Sequence, residues 1–415
     1  MYKVKLSDVK DAAKRLEGVA LCSPLTLNET QSREFGTSIY FKREDLQQVR
    51  SYKIRGAYNK ISCIPTDVLK KGVVCASAGN HAQGVAYSCA RKQVRGMIFM
   101  PTPTPKQKVA QVKMFGGAYV DVVLHGDTFD DASKKALAYC REHEMQFVHP
   151  FDDQKVIEGQ ATIGLEILEQ SKVGIDYLFL PVGGGGVSSG VSSVFKALSP
   201  KTKIIGVEPE GAPSMSVSMA NGINTELQDI EKFVDGASVK RVGDLNFSIC
   251  KENLAEMATV HEGKICQTIL DMYNKDAIVV EPAGAMTVAV LDQYREVIKG
   301  KNVVCLVSGS NNDITRTEEI KERALLHGGV KHYFIVRFPQ RAGALKEFIE
   351  KVLGPKDDIT HFEYSKKQSS TNAPAVVGIE LGSASDFSGL KQRMVDYHFF
   401  GEYLNDKPDL FQFLV

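Results

Sequence analysis

Lys53 stands between two arginines in the stretch Gln48-Val49-Arg50-Ser51-Tyr52-Lys53-Ile54-Arg55-Gly56-Ala57, at the head of an expected helix. Crowding by Arg50 and Arg55, with the positive end of the helix dipole, disfavours the ammonium form and predicts an amine below its ordinary pKa of about 10. A neutral amine can form a Schiff base with a carbonyl. The other reading is a basic helix start facing solvent, as most lysines do.

Three more stretches gather small residues: Ala76-Ser77-Ala78-Gly79-Asn80-His81, Pro181-Val182-Gly183-Gly184-Gly185-Gly186 and Ser308-Gly309-Ser310-Asn311-Asn312. Small residues let the backbone approach a ligand, and successive N–H groups at a helix start hold an anion. The four glycines form the strongest phosphate cradle, although glycine also serves tight turns that hold nothing. A dinucleotide fold is the rival, but G-x-G-x-x-G fails in both registers because Ser188 and Ser189 stand where the third glycine belongs. A compact phosphate fits better than a pyrophosphate. The Ser77 turn offers a hydroxyl, backbone donors and an amide, a set suited to a carboxylate plus one oriented oxygen. His81 is either a neighbour of a helix cap or a base.

These stretches need elements to position them. Apolar residues at Leu6, Val9, Ala12, Ala13 and Leu16 predict a helix behind Ser7 as cap, and Ser38 to Phe41 predicts a strand. From there short apolar runs alternate with amphipathic segments: strands at 73–75, 97–100, 119–124, 146–148, 177–180, 203–207, 278–280 and 303–307. Helices are expected from about 81, 106, 128, 161, 187 and 283. Such alternation predicts parallel sheets flanked by helices, with ligands beyond the carboxyl ends of the strands. Near 325 the pattern changes. His327-Gly328-Gly329 reads as a linker, and strand, helix, strand, strand, helix, strand follow in an α+β ferredoxin-like module of about 85 residues. No nucleophile or phosphate loop stands out there, so the module reads as regulatory or interfacial.

Composition narrows the partner. Lys+Arg 51 against Asp+Glu 50 leaves a net charge of +1, which supplies no field for nucleic acid or a membrane, so a small molecule is expected. No signal run opens the chain and no window reaches 18 apolar residues, which predicts a cytoplasmic protein. The eight cysteines contain no C-x-x-C pair and read as reduced core thiols.

A Schiff-base lysine, a compact phosphate cradle and a carboxylate-sized turn together describe pyridoxal phosphate and an amino acid. The chain resembles the fold-type II pyridoxal-phosphate enzymes, and within them threonine dehydratase of the biosynthetic type with one C-terminal ACT-like domain. Ser51-Tyr52-Lys53-Ile54-Arg55-Gly56-Ala57, Ser77-Ala78-Gly79-Asn80-His81-Ala82-Gln83-Gly84, the glycine run, Glu281-Pro282-Ala283-Gly284-Ala285 and Ser308-Gly309 carry the resemblance in the family's order. Phe338-Pro339-Gln340-Arg341-Ala342-Gly343-Ala344-Leu345 looks like the family's ACT-like opening.

The resemblance implies a two-subdomain α/β catalytic domain over 1–326, with a small subdomain of roughly 53–152 inserted in the large one, and an ACT-like regulatory domain over 327–415. It implies that Lys53 holds pyridoxal 5'-phosphate and takes the substrate's α-proton. Asn80 would bond the ring hydroxyl, Gly183, Gly184, Gly185 and Gly186 the phosphate, and Ser308 would face the pyridine nitrogen. Ser77, Ala78, Gly79, Asn80 and His81 would bind the substrate. L-threonine would become 2-oxobutanoate and ammonia, the first step towards isoleucine, with L-serine as a second substrate. Serine racemase is the closest rival, but Ala78 stands where it needs a second acid/base. A catalytically silent amino-acid sensor is the rival from another class, and it has no need of Lys53 or Ser308. The family's cation site maps onto Glu208, Ala212 and Ser214, where the serine replaces an acid, so the metal is left unassigned. Feedback by isoleucine and a homo-oligomer, dimer or tetramer, complete what the resemblance implies.

Overall fold

The computed structural model describes residues 2–364 and 372–407. The chain divides into two compact units, 1–313 and 314–415. In the first, β1 (Leu25–Leu27) and β2 (Ser38–Arg43) open the chain. β3 (Val73–Ala76), β4 (Gly96–Met100), β5 (Val120–Leu124) and β6 (Gln146–Phe147) follow, then β7 (Tyr177–Pro181), β8 (Lys203–Pro209), β9 (Glu256–Val260) and β10 (Asn302–Val307). They form a six-stranded sheet, β1-β2-β10-β7-β8-β9, and a four-stranded sheet, β5-β4-β3-β6. Every pairing is parallel except β1 with β2.

Burial explains the runs read as strands. All residues of β3, β4 and β7 are buried, as strands covered on both faces require. Because successive side chains point to opposite faces, Val73, Cys75, Ile98 and Met100 enter one core while Val74, Ala76, Met97 and Phe99 enter another.

Three helices matter for the site: Lys53–Ser62, Gln154–Gln170 and Gly186–Leu198. The middle one packs against both others and so ties the lysine's helix to the helix behind the glycine run. Its crossing with the first is backbone on backbone. A Cβ at Gly159 would lie 2.6 Å from the Arg55 carbonyl oxygen, so no larger residue fits without separating the helices.

The second unit holds β11 (Lys331–Pro339), β12 (Asp358–Tyr364), β13 (Asn372–Glu380) and β14 (Phe400–Tyr403), antiparallel in the order β12-β13-β11-β14. Helices Ala344–Lys351 and Phe387–Asp396 complete the ferredoxin-like order. Phe334, Val336, Phe338, Phe348, Val377, Leu390 and Met394 fill its own core. Residues 365–371 and 408–415 of the expected regulatory domain lie outside the described residues. The helix Thr317–His327 falls in this unit, and Glu322 on it accepts the Tyr333 hydroxyl at 2.8 Å.

Several expectations need correction. Ile278 to Val280 belongs to no strand: Ile278 and Val280 are buried, Val279 is exposed, and the run leads through an extended Glu281 into the helix Pro282–Ala289. The edge strand β9 takes the place beside β8 instead. Ser7 does not cap the first helix, which starts at Leu6 with Lys5 in the cap position. The helix expected from 161 begins at Gln154, where the Asp153 carboxylate accepts from the N–H groups of Lys155 and Val156. Of the eight free cysteines six are buried, Cys63 is half-buried and Cys22 is exposed.

Candidate active site

Lys53 is the first residue of its helix, half-buried, with Nζ donating to the Pro150 carbonyl at 3.0 Å. Burial pulls the amine down to about 8, against the opposing pull of the Glu281 carboxylate. The arginines are not the cause, and this corrects the expected crowding. Arg55 is buried in a double ion pair, at 2.7 Å to Glu44 and 2.5 Å to Glu166, which raises its own pKa further. Residues two apart on a helix do not face one another, so Arg55 turns away from Lys53. Arg50 adopts a left-handed φ of 59° and its carbonyl accepts from Ser310 N–H at 2.9 Å, which joins the lysine's approach to the Ser308 turn.

The turns converge by short contacts. Tyr52 N–H donates to the Ser308 carbonyl at 3.3 Å, and Ser51 bridges to Gly309. Asn80, first residue of the helix Asn80–Lys92, donates through Nδ2 to Glu281 at 2.7 Å and accepts at Oδ1 from Asn311. Gly79 N–H turns to the Ser77 hydroxyl at 3.3 Å. Ser77, Ala78, Gly79 and Asn80 are all half-exposed at the end of β3. His81 is buried, with Nε2 2.9 Å from the Val148 carbonyl, and burial with the Lys53 charge lowers it to about 3. Burial therefore favours the neutral imidazole, with Nε2 held by Val148.

The glycine run follows β7 directly. Gly183 and Gly184 are half-exposed, and Gly185 and Gly186 are buried. Phe151, next to the Pro150 that meets Lys53, lies under Gly184: a Cβ there would stand 2.2 Å from its ring. Asn246 braces the same place, donating to the Gly184 carbonyl at 2.8 Å and the Phe151 carbonyl at 3.2 Å. The Asp152 carboxylate caps the helix Asp244–Asn253 through Asp244 and Leu245 N–H, both at 3.0 Å.

This set fits a pyridoxal phosphate. A Cβ at any of the four glycines would crowd Ala237, Phe151 or Asn246, so only bare backbone fits in the turn; the helix Gly186–Leu198 offers N-terminal N–H groups to a phosphate, and the neighbouring amine is held in a readily neutralised state. Around it Ser51 Oγ, His81 Nδ1, Asn311 Oδ1 and Asn312 Oδ1 are buried with no partner from the chain.

The Glu208 region is different. Glu208 is buried and accepts from Met215 N–H at 2.7 Å, Ser216 N–H at 2.9 Å and Ser216 Oγ at 2.7 Å, while burial pushes it up to about 7. The Ser214 hydroxyl donates to the Val239 carbonyl. Glu208 is therefore no solvated strand end. Among the described residues no group of three His, Cys, Asp or Glu could hold a metal.

Fold and site define a pyridoxal-phosphate-dependent enzyme of the parallel-sheet kind, and the comparisons agree. Residues 20–309 match the family model described as pyridoxal-phosphate dependent enzyme, and 322–414 the model described as C-terminal regulatory domain of threonine dehydratase. The biosynthetic L-threonine dehydratase IlvA of Halalkalibacterium halodurans is 53% identical over 415 residues, 100% of each chain. The solved structure of processed threonine deaminase isoform 2 from Solanum lycopersicum is 41% identical, with a TM-score of 0.73 over 78% of this chain and 90% of that one. Serine racemase from Dictyostelium discoideum is 32% identical, with a TM-score of 0.69 over 75% and 99%. The chain belongs to the biosynthetic L-threonine dehydratase family of pyridoxal-phosphate-dependent enzymes.

Sequence reasoning missed Phe151, Asp152 and Asn246, and gave Glu281 and Asn311 no role. Asn246 sits inside a helix and carries no local signal. Glu281-Pro282 did carry one, because an acid followed by proline at N1 marks a helix start near the strand ends.

Proposed function

We propose that the chain converts L-threonine to 2-oxobutanoate and ammonia, with L-serine as a second substrate, at the head of isoleucine formation. The observation that carries this reading is the end-to-end likeness to a relative named L-threonine dehydratase, catalytic and regulatory segments together. Bound pyridoxal phosphate supplies an electron sink for charge developing at the substrate's α-carbon. Lys53 would hold the cofactor through its amine and would serve as the base for the substrate's α-proton. Gly183, Gly184, Gly185 and Gly186 bind the phosphate with backbone N–H groups, braced from beneath by Phe151 and Asn246. Asn80 would donate to the ring hydroxyl. Ser308 would lie at the pyridine nitrogen, where a hydroxyl, unlike an aspartate, would bring no charge to keep that nitrogen protonated and so would favour prompt loss of the β-hydroxyl as water. The Ser77 to His81 turn takes the substrate carboxylate at the start of the helix Asn80–Lys92. Ala78 has no proton to offer the opposite face, which separates dehydration from racemisation.

The catalytic segment is assigned to 1–326, with a small subdomain of roughly 53–152, and the regulatory segment to 327–415. The effector is isoleucine, the assembly a homo-oligomer of two or four chains, and the location the cytoplasm. The near-neutral charge supports a small-molecule partner over nucleic acid or a membrane; among the described residues no helix is long and apolar enough to cross a membrane.

Steady-state turnover of L-threonine and L-serine, with and without isoleucine, tests reaction, substrate and regulation together. Threonine should yield 2-oxobutanoate, and isoleucine should suppress it. An appreciable L-to-D conversion of serine by the pure enzyme would overturn the reading in favour of a racemase.

A further inference from the structure

Glu281 has no part in the roles assigned above, yet three segments of the site close on it. It is 5% exposed, directly before the helix Pro282–Ala289. Its Oε1 accepts from Asn80 Nδ2 at 2.7 Å. Space for it exists because residue 309 is glycine: a Cβ there would lie 2.2 Å from the same oxygen. On the far side of the Asn80 amide, Oδ1 accepts from Asn311 Nδ2, which also donates to the Val49 carbonyl at 3.0 Å.

A side-chain amide has one acceptor oxygen and two N–H donors. With Oδ1 taken by Asn311 and one N–H taken by Glu281, the Asn80 amide has a single spare N–H. Turning it over would set its oxygen against a carboxyl oxygen and its nitrogen against a donor. The orientation is therefore fixed from both sides.

We propose that Glu281 is a positioning residue for the cofactor: its carboxyl locks Asn80 so that the spare N–H is presented as a donor to the cofactor's ring oxygen, and its charge is coupled to that oxygen's. This rests on the placement of Asn80 against the ring hydroxyl given under the proposed function. The charged and titratable groups around Glu281 are Asp235, Lys108 and Lys53, together with Tyr52, which is raised first by burial and then by the Glu281 charge. Burial pushes the carboxyl up to about 7 and Asp235 adds to the rise, while Asn80, Lys108 and Lys53 oppose it. A carboxyl so poised changes charge near neutrality. Ionised, it polarises the Asn80 N–H but sets a negative charge near the ring oxygen; protonated, it removes that charge.

The test is a pH titration of the holoenzyme's visible absorbance, with cofactor affinity from reconstitution of the apo-chain with pyridoxal phosphate. Wild type should show a spectral transition from a carboxyl held above its ordinary range by burial. Glu281→Gln keeps an acceptor for Asn80 and loses the charge, so it should bind the cofactor within about threefold of wild type without that transition. Glu281→Ala and Asn80→Ala should each weaken cofactor binding by about tenfold, the scale of one lost charge-assisted hydrogen bond. A Glu281→Gln titration that superimposes on wild type, or wild-type affinity in Glu281→Ala, would overturn the role of Glu281 while leaving the cofactor reading intact. Absence of any visible band in wild type, or a band that survives in Lys53→Ala, would overturn the cofactor reading and this proposal with it.

Discussion

Lowering the Lys53 amine from near 10 to about 8 raises its neutral fraction at pH 7 by roughly two orders of magnitude. Only the neutral amine attacks a carbonyl, so capture of pyridoxal phosphate by the apo-chain should speed up with pH and level off above about 8. Stopped-flow absorbance across a pH series checks this. A rate still climbing at pH 10 would show that burial does not tune the amine, and Lys53→Ala should show no capture. Arg55 has a different task. It holds Glu44 and Glu166 together in the interior, and removing one partner of a buried pair leaves an uncompensated charge. Arg55→Leu should lose about 3–5 kcal/mol in urea unfolding, far more than Arg50→Leu. The sequence made Lys53 legible by its company of turns, but it misled about the arginines. Helical geometry already separates residues 53 and 55, whereas the acids that claim Arg55 lie 11 and 111 positions away and no local pattern announces them.

At the scale of elements, the glycine turn is a layered object: glycine backbone above, the Phe151 ring below, Asn246 clamping both carbonyls. A Cβ at residue 184 cannot be added without moving Phe151, because 2.2 Å lies far inside van der Waals contact. Gly184→Ala should therefore weaken cofactor binding by tenfold or more, on the order of 1.4 kcal/mol. The double variant Gly184→Ala/Phe151→Ala should recover part of the loss, the coupling expected of residues in contact. Equilibrium titration of the four proteins completes the cycle, and simple additivity would contradict the layered account. The glycine run and the strand before it were plain in the sequence as composition and period. Phe151 was not, because it is brought there by the helix Gln154–Gln170, whose first seven residues were missed. They begin Gln154-Lys155-Val156, polar and short of apolar period, and their helical state is set by the Asp153 cap and by close packing at Gly159. The run Ile278-Val279-Val280 failed in the opposite sense. Its β-branched residues suit a strand, but the place beside β8 is held by β9, and the run joins no strand among the described residues, Ile278 N–H donating instead to the Met272 carbonyl at 3.0 Å.

Across the whole molecule, two units carry separate cores. The clusters around β7 and around β3 draw on residues up to 306, while the core of the second unit runs from Phe334 to Phe399. Stability and function should therefore be separable by a core change in one unit. Phe348 is fully buried between Phe338 and Phe399, at ring distances of 5.3 and 5.2 Å. Phe348→Ala removes most of that contact and leaves a cavity, which costs about 3–5 kcal/mol. Calorimetry of the full chain should show a lower-temperature transition for the second unit with that of the first retained. If isoleucine acts through this unit, the variant should lose inhibition by isoleucine while threonine turnover in its absence stays within about twofold of wild type, since an effector shifts an equilibrium only through a site it binds. Retained inhibition would place the effector elsewhere, and a parallel fall in unregulated turnover would mean that the second unit is needed to hold the catalytic one together.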